Sequence, residues 1–256
     1  MTEKTTTTQP AETRDVWGKI SVSEIFGPTV QGEGAVIGKP TVFVRTGGCD
    51  YRCSWCDSKF AVLPEFRYTW RRMAPEEVFT EIRKLSPRPI LVTLSGGNPA
   101  LQPFGKLIQL GKAEGYSFTI ETQGTLARDW FADLDYLTLS PKPPSSGMET
   151  DWEKLERCVE AGSSKTETVM KVVVFDERDY AYAKEVGCRF PEVPVYLQVG
   201  NDMPPSPEPN DRTEPDVGRL LNRYEWLAGK IVADGWNEAT VLPQLHVLVW
   251  GNKRGV

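Results

Sequence analysis

Apolar strands alternate with amphipathic helices along most of this chain, and no other feature restricts its fold as strongly. Apolar or β-branched runs predict strands at 20–26, 41–46, 90–94, 117–121, 135–139, 168–175 and 195–199. Apolar residues at helical spacing predict helices at 74–86, around 104–108, and at 152–159, 179–186 and 217–231. The alternation occurs about six times, which predicts an α/β fold with parallel strands and right-handed crossovers. A barrel-like fold and a doubly wound open sheet both satisfy this pattern.

Unusual residues follow directly after the predicted strands. Cys49, Gly96, Thr122, Ser140 and Gly200 each stand at such a position. The carboxyl ends of parallel strands meet at one face of an α/β barrel, and active sites form there. We therefore expect the segments around these residues to share one pocket.

Three of the five cysteines lie in the segment 47–58, which reads GGCDYRCSWCDS and is called the cysteine loop below. Their spacing is C-x3-C-x2-C, so one short loop supplies three thiolates. A [4Fe-4S] cluster normally takes four cysteine ligands, and three ligands leave one iron open to a small molecule. With Trp55 directly before the last cysteine, the pattern resembles the radical S-adenosylmethionine (radical SAM) enzymes, in which S-adenosylmethionine fills the fourth position.

Two other chemistries compete for these cysteines. A disulfide is disfavoured because the first 15 residues lack the apolar core of a secretory signal. A zinc site remains an alternative interpretation, since zinc accepts three cysteines and a histidine as ligands and the chain has one histidine, His246. Zinc sites more often pair two cysteine knuckles, and the sequence has no second knuckle, so the spacing favours the cluster. Cys158 and Cys188 are expected to be ordinary cysteines.

Composition and charge argue against several classes of protein. The 256 residues carry a net charge of −5, which does not favour a broad nucleic-acid surface. No apolar run reaches the length of a membrane span, and clustered thiolates point to the reducing cytoplasm.

We expect residues 1–17 to form a disordered tail and residues 18–256 to form one domain. The proline-rich segment 201–215 predicts a mobile surface loop.

Further motifs narrow the resemblance. With the cysteine loop, they resemble the 7-carboxy-7-deazaguanine synthase family of radical SAM enzymes from about residue 25 to residue 256. These motifs are Gln31-Gly32-Glu33-Gly34 at the end of a glycine-rich loop predicted at 27–34, Arg45, Cys56-Asp57-Ser58, Ser95-Gly96-Gly97, Glu121-Thr122-Gln123-Gly124, Ser140-Pro141-Lys142 and Gln244-Leu245-His246. The resemblance implies an incomplete TIM-like barrel of about six βα units, built around the radical SAM core.

The resemblance also implies roles for individual residues. The cluster is held by Cys49, Cys53 and Cys56, and Mg²⁺ is bound by Ser58. S-adenosylmethionine contacts Gly97, Ser140, Pro141, Lys142, Gln198, Val199, Gly200 and Asn201. The substrate contacts Val30, Gln31, Gly32, Arg45, Ser95 and the terminal Val256.

The reaction implied by the resemblance converts 6-carboxy-5,6,7,8-tetrahydropterin to 7-carboxy-7-deazaguanine with loss of ammonia. This step belongs to the biosynthesis of deazapurines such as the tRNA base queuosine. The resemblance further implies a homodimer and an electron donor such as flavodoxin or ferredoxin, without a direct nucleic-acid or membrane partner. Two alternatives stay open: another radical SAM enzyme of the glycyl-radical activase type, and a non-catalytic Cys3His zinc-binding protein.

Two positions depart from the pattern of relatives. Many radical SAM proteins have Gly-Gly-Glu where this chain has Gly96-Gly97-Asn98, so Asn98 offers the cofactor an acceptor without charge. Ser58 stands where some relatives have Thr, and both residues offer a hydroxyl. The residues leave open whether Asn98 and His246 contact ligands or only support the fold.

Overall fold

The computed structural model describes residues 18–208 and 213–256. Within these residues, nine strands form one mixed sheet in the order β3-β1-β2-β4-β5-β6-β7-β8-β9. The strands are β1 (Ile20–Val30), β2 (Pro40–Thr46), β3 (Arg71–Met73), β4 (Leu91–Gly96), β5 (Ser117–Thr122), β6 (Tyr136–Leu139), β7 (Glu167–Val174), β8 (Val195–Val199) and β9 (Ala239–Leu242). Pairing is parallel from β2 to β9, whereas β1 runs antiparallel to β2 and β3.

Seven α-helices are present in the described part of the chain. They are α1 (Lys59–Val62), α2 (Pro75–Leu85), α3 (Gly105–Ala113), α4 (Trp152–Glu160), α5 (Glu177–Arg189), α6 (Val217–Ala233) and α7 (Leu245–Trp250). The sheet ends at β3 and β9 and does not close on itself. The prediction of an α/β fold with an incomplete TIM-like barrel is therefore confirmed. The assignment of residues 18–256 to one domain stays a prediction.

The two faces of the sheet carry different kinds of side chain. In β7, Met170, Val172 and Val174 belong to the apolar core that the helices cover. Lys171 and Val173 alternate with them and therefore point to the opposite face. The strand therefore carries a lysine on its second face, because that face of the sheet lines a cavity instead of a second apolar layer.

The first strand is longer than the sequence predicted. β1 continues to Val30, and a register shift between Phe26 and Thr29 accommodates Gly27 and Pro28. Gly27 adopts a φ of +124°, which favours glycine, and pairing with β2 resumes at Thr29. The loop predicted to begin at residue 27 begins after Val30, because a bulge tolerates the glycine and proline that usually end a strand.

Asp179 connects α5 to the segments that flank the cysteine loop. It is fully buried, and its carboxylate accepts hydrogen bonds from the backbone N–H of Ser145 and of Phe175, each at 3.0 Å. Ser145 in turn accepts a hydrogen bond from Trp55 Nε1 at 3.0 Å. The start of α5 thus helps to hold the cysteine loop at the carboxyl end of the sheet.

Two sequence predictions fall partly or wholly outside the described residues. The expected N-terminal tail, residues 1–17, is one, and residues 209–212 of the expected mobile loop are the other. Across the described ranges, none of the helices combines the length and the apolar character needed to span a bilayer.

Candidate active site

A cavity of about 590 Å³ lies at the carboxyl ends of the parallel strands. Its wall is formed by the cysteine loop, the loop after β1, the segments that follow β4, β5, β6 and β8, and the C-terminal residues 251–256. The volume is typical of sites that enclose a small molecule. The segments that follow the strands therefore meet around one space, as their positions in the sequence predicted.

Most of the predicted site residues lie on the wall of this cavity. They are Val30, Gln31, Gly32, Arg45, Cys49, Cys53, Cys56, Ser58, Ser95, Gly97, Ser140, Lys142, Gly200, Asn201 and Val256. Three predicted cofactor residues do not line it: Pro141, Gln198 and Val199. Val199 points into the helix-covered core. The Gln198 side chain is fully buried and holds other segments, since its Oε1 accepts from Gly34 N and its Nε2 donates to the Leu242 carbonyl, each at 3.4 Å.

Polar side chains from neighbouring loops fix the conformation of the cysteine loop. Cys49 Sγ accepts hydrogen bonds from Tyr51 N at 3.4 Å and from Gln123 Nε2 at 3.5 Å. Asp50 accepts from Gln123 Nε2 and from Thr125 Oγ1, each at 2.5 Å. The segment after β5 therefore orients the first cysteine of the loop.

Asn98 supports this arrangement and does not line the cavity. It is fully buried, and its Nδ2 donates to Asp50 Oδ1 at 2.8 Å. Its Oδ1 accepts from Thr122 Oγ1 at 2.7 Å and from Ala100 N at 3.2 Å. The carbonyl oxygen of Asn98 thus already has two protein donors, which favours a structural role over a contact with the cofactor.

The two glycines after β4 are required by the approach of two backbone segments. A Cβ atom on Gly97 would lie 2.1 Å from the carbonyl oxygen of Gly48, and one on Gly96 would lie 2.3 Å from that of Thr46. Gly96 also has a φ of +122°. These residues let the end of β4 pack directly against the cysteine loop, and Gly97 then forms part of the cavity wall.

The three thiols of the cysteine loop are free and partly buried. Burial raises the pKa of each thiol, and with the neighbouring Asp57 carboxylate it raises that of Cys56 to about 12. Thiolates in such surroundings need a strong cationic partner, which an iron–sulfur cluster provides. In residues 18–208 and 213–256, no three His, Cys, Asp or Glu side chains converge on a single metal ion. A Cys3His zinc site therefore gains no support, whereas a cluster binds its cysteines through separate irons.

Comparison with known proteins reveals the family of this chain. Residues 43–173 match the model of the Radical SAM superfamily. A 7-carboxy-7-deazaguanine synthase of Bacillus cereus is 46% identical over 244 residues, covering 93% of this chain and 99% of the relative. This chain belongs to the 7-carboxy-7-deazaguanine synthase family. It is a radical SAM enzyme, and neither the activase nor the zinc-binding alternative is favoured.

A second relative agrees with this assignment, and a solved structure shares the fold. The 7-carboxy-7-deazaguanine synthase of Bacillus subtilis is 46% identical over 243 residues, covering 93% of this chain and 98% of that protein. The crystal structure of QueE from Escherichia coli has the same fold, with a TM-score of 0.64 at 21% identity, covering 89% of this chain and 95% of that chain. The radical SAM family implies a [4Fe-4S] cluster and S-adenosylmethionine.

In this synthase-family chain, ion pairs arrange the groups on one side of the cavity. Arg45 Nε donates to Glu24 Oε1 at 2.7 Å, and Arg45 Nη1 donates to Ser58 Oγ at 3.2 Å. Arg254 Nε donates to the other oxygen of Glu24 at 3.1 Å, and its guanidinium lies 3.3 Å from the centre of the Phe60 ring. Glu24 therefore holds Arg45 and the C-terminal segment in place together.

A buried lysine that was not predicted from the sequence lies on the other side of the cavity. Lys171 is 1% exposed, and its Nζ contacts Glu33 Oε2 and Glu121 Oε1. Burial alone would raise the pKa of Glu33, but Lys171 and His246 lower it to about 2. Burial alone would lower the pKa of Lys171, but the two carboxylates raise it above its usual value. Glu33 and Lys171 are therefore both charged at neutral pH.

One signal in the sequence could have revealed this lysine. Lys171 is the single charged residue in the run Thr168 to Val174, and a charge inside a strand buried on both faces requires a partner. Gln244 and His246 also join this group. Gln244 Nε2 donates to Glu33 Oε1 at 2.8 Å, and His246 Nδ1 lies 3.9 Å from the same oxygen. His246 thus lies at the site.

Proposed function

We propose that this protein is a 7-carboxy-7-deazaguanine synthase: it converts 6-carboxy-5,6,7,8-tetrahydropterin to 7-carboxy-7-deazaguanine with loss of ammonia. Its product would enter the biosynthesis of queuosine and related deazapurines. The supporting observation is that one cavity contains the cysteine loop, the Arg45 guanidinium and the C-terminal Val256. Full-length similarity to proteins of that name supports the same reaction.

In this proposal, Cys49, Cys53 and Cys56 hold a [4Fe-4S] cluster that leaves one iron open for S-adenosylmethionine. When bound, these groups supply the one-electron chemistry that removes a hydrogen atom from the substrate. The residues of the chain bind the cofactor and the substrate, orient them toward each other and enclose them in the cavity. For S-adenosylmethionine we assign the predicted residues that line the cavity: Gly97, Ser140, Lys142, Gly200 and Asn201.

Substrate binding requires groups that recognise a carboxylate and a polar ring. Arg45 carries a guanidinium that can bind the pterin carboxylate through two hydrogen bonds. The Ser95 hydroxyl oxygen is buried and has no hydrogen-bond partner among the described residues, so a ligand in the cavity would satisfy it. Val30, Gln31, Gly32 and Val256 complete the proposed substrate contacts.

Ser58 and the neighbouring Asp57 offer oxygen atoms to a magnesium ion. Ser58 is 7% exposed and donates a hydrogen bond to Asp57 Oδ1 at 2.7 Å, so a hydroxyl and a carboxylate lie together on the cavity wall. Mg²⁺ prefers hard oxygen ligands and keeps several of its ligands as water or substrate oxygens. We assign Ser58 as its protein ligand, with the substrate carboxylate supplying further oxygens.

Membership of the family leads us to expect two protein partners. These are a protein electron donor such as flavodoxin or ferredoxin and a second copy of this chain in a homodimer. Cytoplasmic location also stays a prediction.

The decisive experiment is anaerobic turnover. Protein reconstituted with iron and sulfide is incubated with reductant, S-adenosylmethionine, Mg²⁺ and the carboxypterin, and product is identified by mass spectrometry. We expect deazaguanine product and 5′-deoxyadenosine from the parent protein and neither from Cys53→Ala. If the reconstituted parent forms 5′-deoxyadenosine but no deazaguanine product, the proposed substrate is wrong.

A further inference from the structure

The buried group formed by Lys171, Glu33 and Glu121 joins three separate segments of the chain. Lys171 lies on β7, Glu121 on β5 and Glu33 in the loop after β1. The lysine Nζ contacts one oxygen of each carboxylate, and all three side chains line the cavity. The side chain of Glu121 is 29% exposed, so part of its carboxylate is open to the cavity.

This group carries an excess of negative charge. Two carboxylates face one ammonium, and His246 is the fourth titratable group beside them, 3.9 Å from Glu33. On the neighbouring strands, Thr138 of β6 and Gln198 of β8 do not titrate. Tyr196, which pairs with Lys171 on β8, titrates only at alkaline pH, because burial raises its pKa above the usual value of 10. Buried ion pairs are weak evidence for stability, since apolar residues of similar volume often stabilise a fold as well. The position of this group on the cavity wall, away from the helix-covered core, favours a role toward a ligand.

We propose that Lys171 is a positioning residue that keeps Glu33 and Glu121 ionised side by side, so that they accept hydrogen bonds from ring N–H groups of the substrate. This inference rests on the proposed function, because the amino-pyrimidinone ring of a pterin presents adjacent N–H donors. Ionised carboxylates accept such bonds more strongly than neutral groups do. Lys171 itself makes no contact with the ring.

The physical reason for the lysine lies in the behaviour of paired carboxylates. Two carboxylates that share a buried site oppose each other's ionisation, because each raises the pKa of the other. Lys171 removes this conflict by contacting both. Without it, one carboxyl retains a proton and offers a donor where the ring requires an acceptor.

Lys171→Met tests the inference in reconstituted, full-length protein. We expect it to bind S-adenosylmethionine and to cleave it without substrate at parental rates, but to bind the carboxypterin at least roughly tenfold more weakly at pH 7. The parent-to-variant affinity ratio should fall as pH rises from 6 to 9, because the retained proton is then lost. Lys184→Met, which changes an exposed lysine paired with Asp234, should match the parent.

Two further measurements separate the effect of Lys171 from histidine titration and from misfolding. The same ratio is measured in a His246→Gln background, so that histidine titration does not produce the pH dependence. If Lys171→Met fails to fold, Glu121→Gln replaces it and should weaken pterin binding without affecting S-adenosylmethionine cleavage.

Failure of the proposed function and failure of the role of Lys171 give different results. A parent protein that neither binds nor converts the carboxypterin overturns the proposed function. An active parent with a Lys171→Met or Glu121→Gln variant that binds the pterin equally well, and with the parental pH profile, overturns the role of Lys171 alone.

Discussion

At the residue scale, the cysteines of this chain differ in their surroundings. Cys49, Cys53 and Cys56 line the cavity, whereas Cys158 is buried in the apolar core and Cys188 is exposed on α5. Burial raises the pKa of the Cys158 thiol to about 11, so this thiol stays protonated. Only the three cysteines of the loop are placed to act together.

Replacing any one of these three cysteines should abolish cluster binding. Cys53→Ala removes one of three thiolates, so iron and sulfide content and visible absorption should fall to a small fraction of the parental values. The matched control is Cys188→Ala, which alters an exposed thiol outside the cavity and should retain the cluster. A Cys53→Ala protein with full cluster content would refute the ligand assignment.

The Ser58 hydroxyl gives a second test at this scale. Ser58→Ala should weaken the response of turnover to added Mg²⁺ while leaving cluster absorption intact, because the change removes the proposed oxygen ligand. Ser54→Ala is the control from the same loop, since the Ser54 hydroxyl donates to the Ser145 carbonyl and does not line the cavity. Equal Mg²⁺ dependence in Ser58→Ala and the parent would show that the metal lies elsewhere.

At the element scale, the packing of β4 against the cysteine loop depends on the absence of a side chain at Gly97. In Gly97→Ala the new methyl would meet the Gly48 carbonyl oxygen, so the loop or the strand must move. We expect a lower melting temperature and reduced cluster content. The control is Gly229→Ala in α6, where a Cβ meets nothing within 4 Å and helix propensity favours alanine by about 0.8–1 kcal/mol. A Gly97→Ala protein with parental cluster content would contradict this packing argument.

The C-terminal segment is a second element whose role can be tested. Arg254 pairs with Glu24, and Asn252 accepts a hydrogen bond from Asn201 Nδ2 at 3.0 Å, so these residues place Val256 at the cavity. Deleting residues 255–256, or adding a C-terminal tag, should raise the substrate KM severalfold while cluster content and S-adenosylmethionine binding change little. An N-terminal tag is the control. Unchanged kinetics with a long C-terminal tag would exclude a substrate contact.

At the scale of the whole molecule, the buried charges of the cavity link stability to pH. The pKa of Glu33 is lowered to about 2, so the folded state favours its ionised form. This contribution is complete above the ordinary carboxyl pKa of about 4.5 and is lost as pH falls toward 2. At about 1.4 kcal/mol per pKa unit, it amounts to about 3 kcal/mol.

The free energy of unfolding of the parent protein should therefore fall steeply between pH 4.5 and pH 2. Glu33→Gln should show a shallower decline over this window, measured by denaturant titration at each pH. Glu225→Gln, at an exposed position on α6, should keep the parental slope. Identical slopes in the parent and Glu33→Gln would show that Glu33 does not carry this pH dependence.

The α/β class, the position of most strands and helices, and the cysteine loop were all predictable from the sequence. These features depend on residues close together in the chain, where apolar spacing and ligand spacing are visible directly. The edge strands β3 and β9 and the extension of β1 to Val30 were missed, because bulges and pairing depend on neighbouring strands.

The grouping of polar residues around the cavity, in contrast, was visible only in the folded chain. Lys171 and Glu33 are 138 residues apart in the chain, and the parallel sheet brings them into contact. Asn98 stood as a cofactor candidate until the fold showed that its amide bonds to Asp50 and Thr122. Gly97 likewise must be a glycine because the backbone of Gly48 leaves no room for a side chain. A spacing pattern specifies what a segment can bind locally, whereas burial and charge pairing arise only when distant segments share one space.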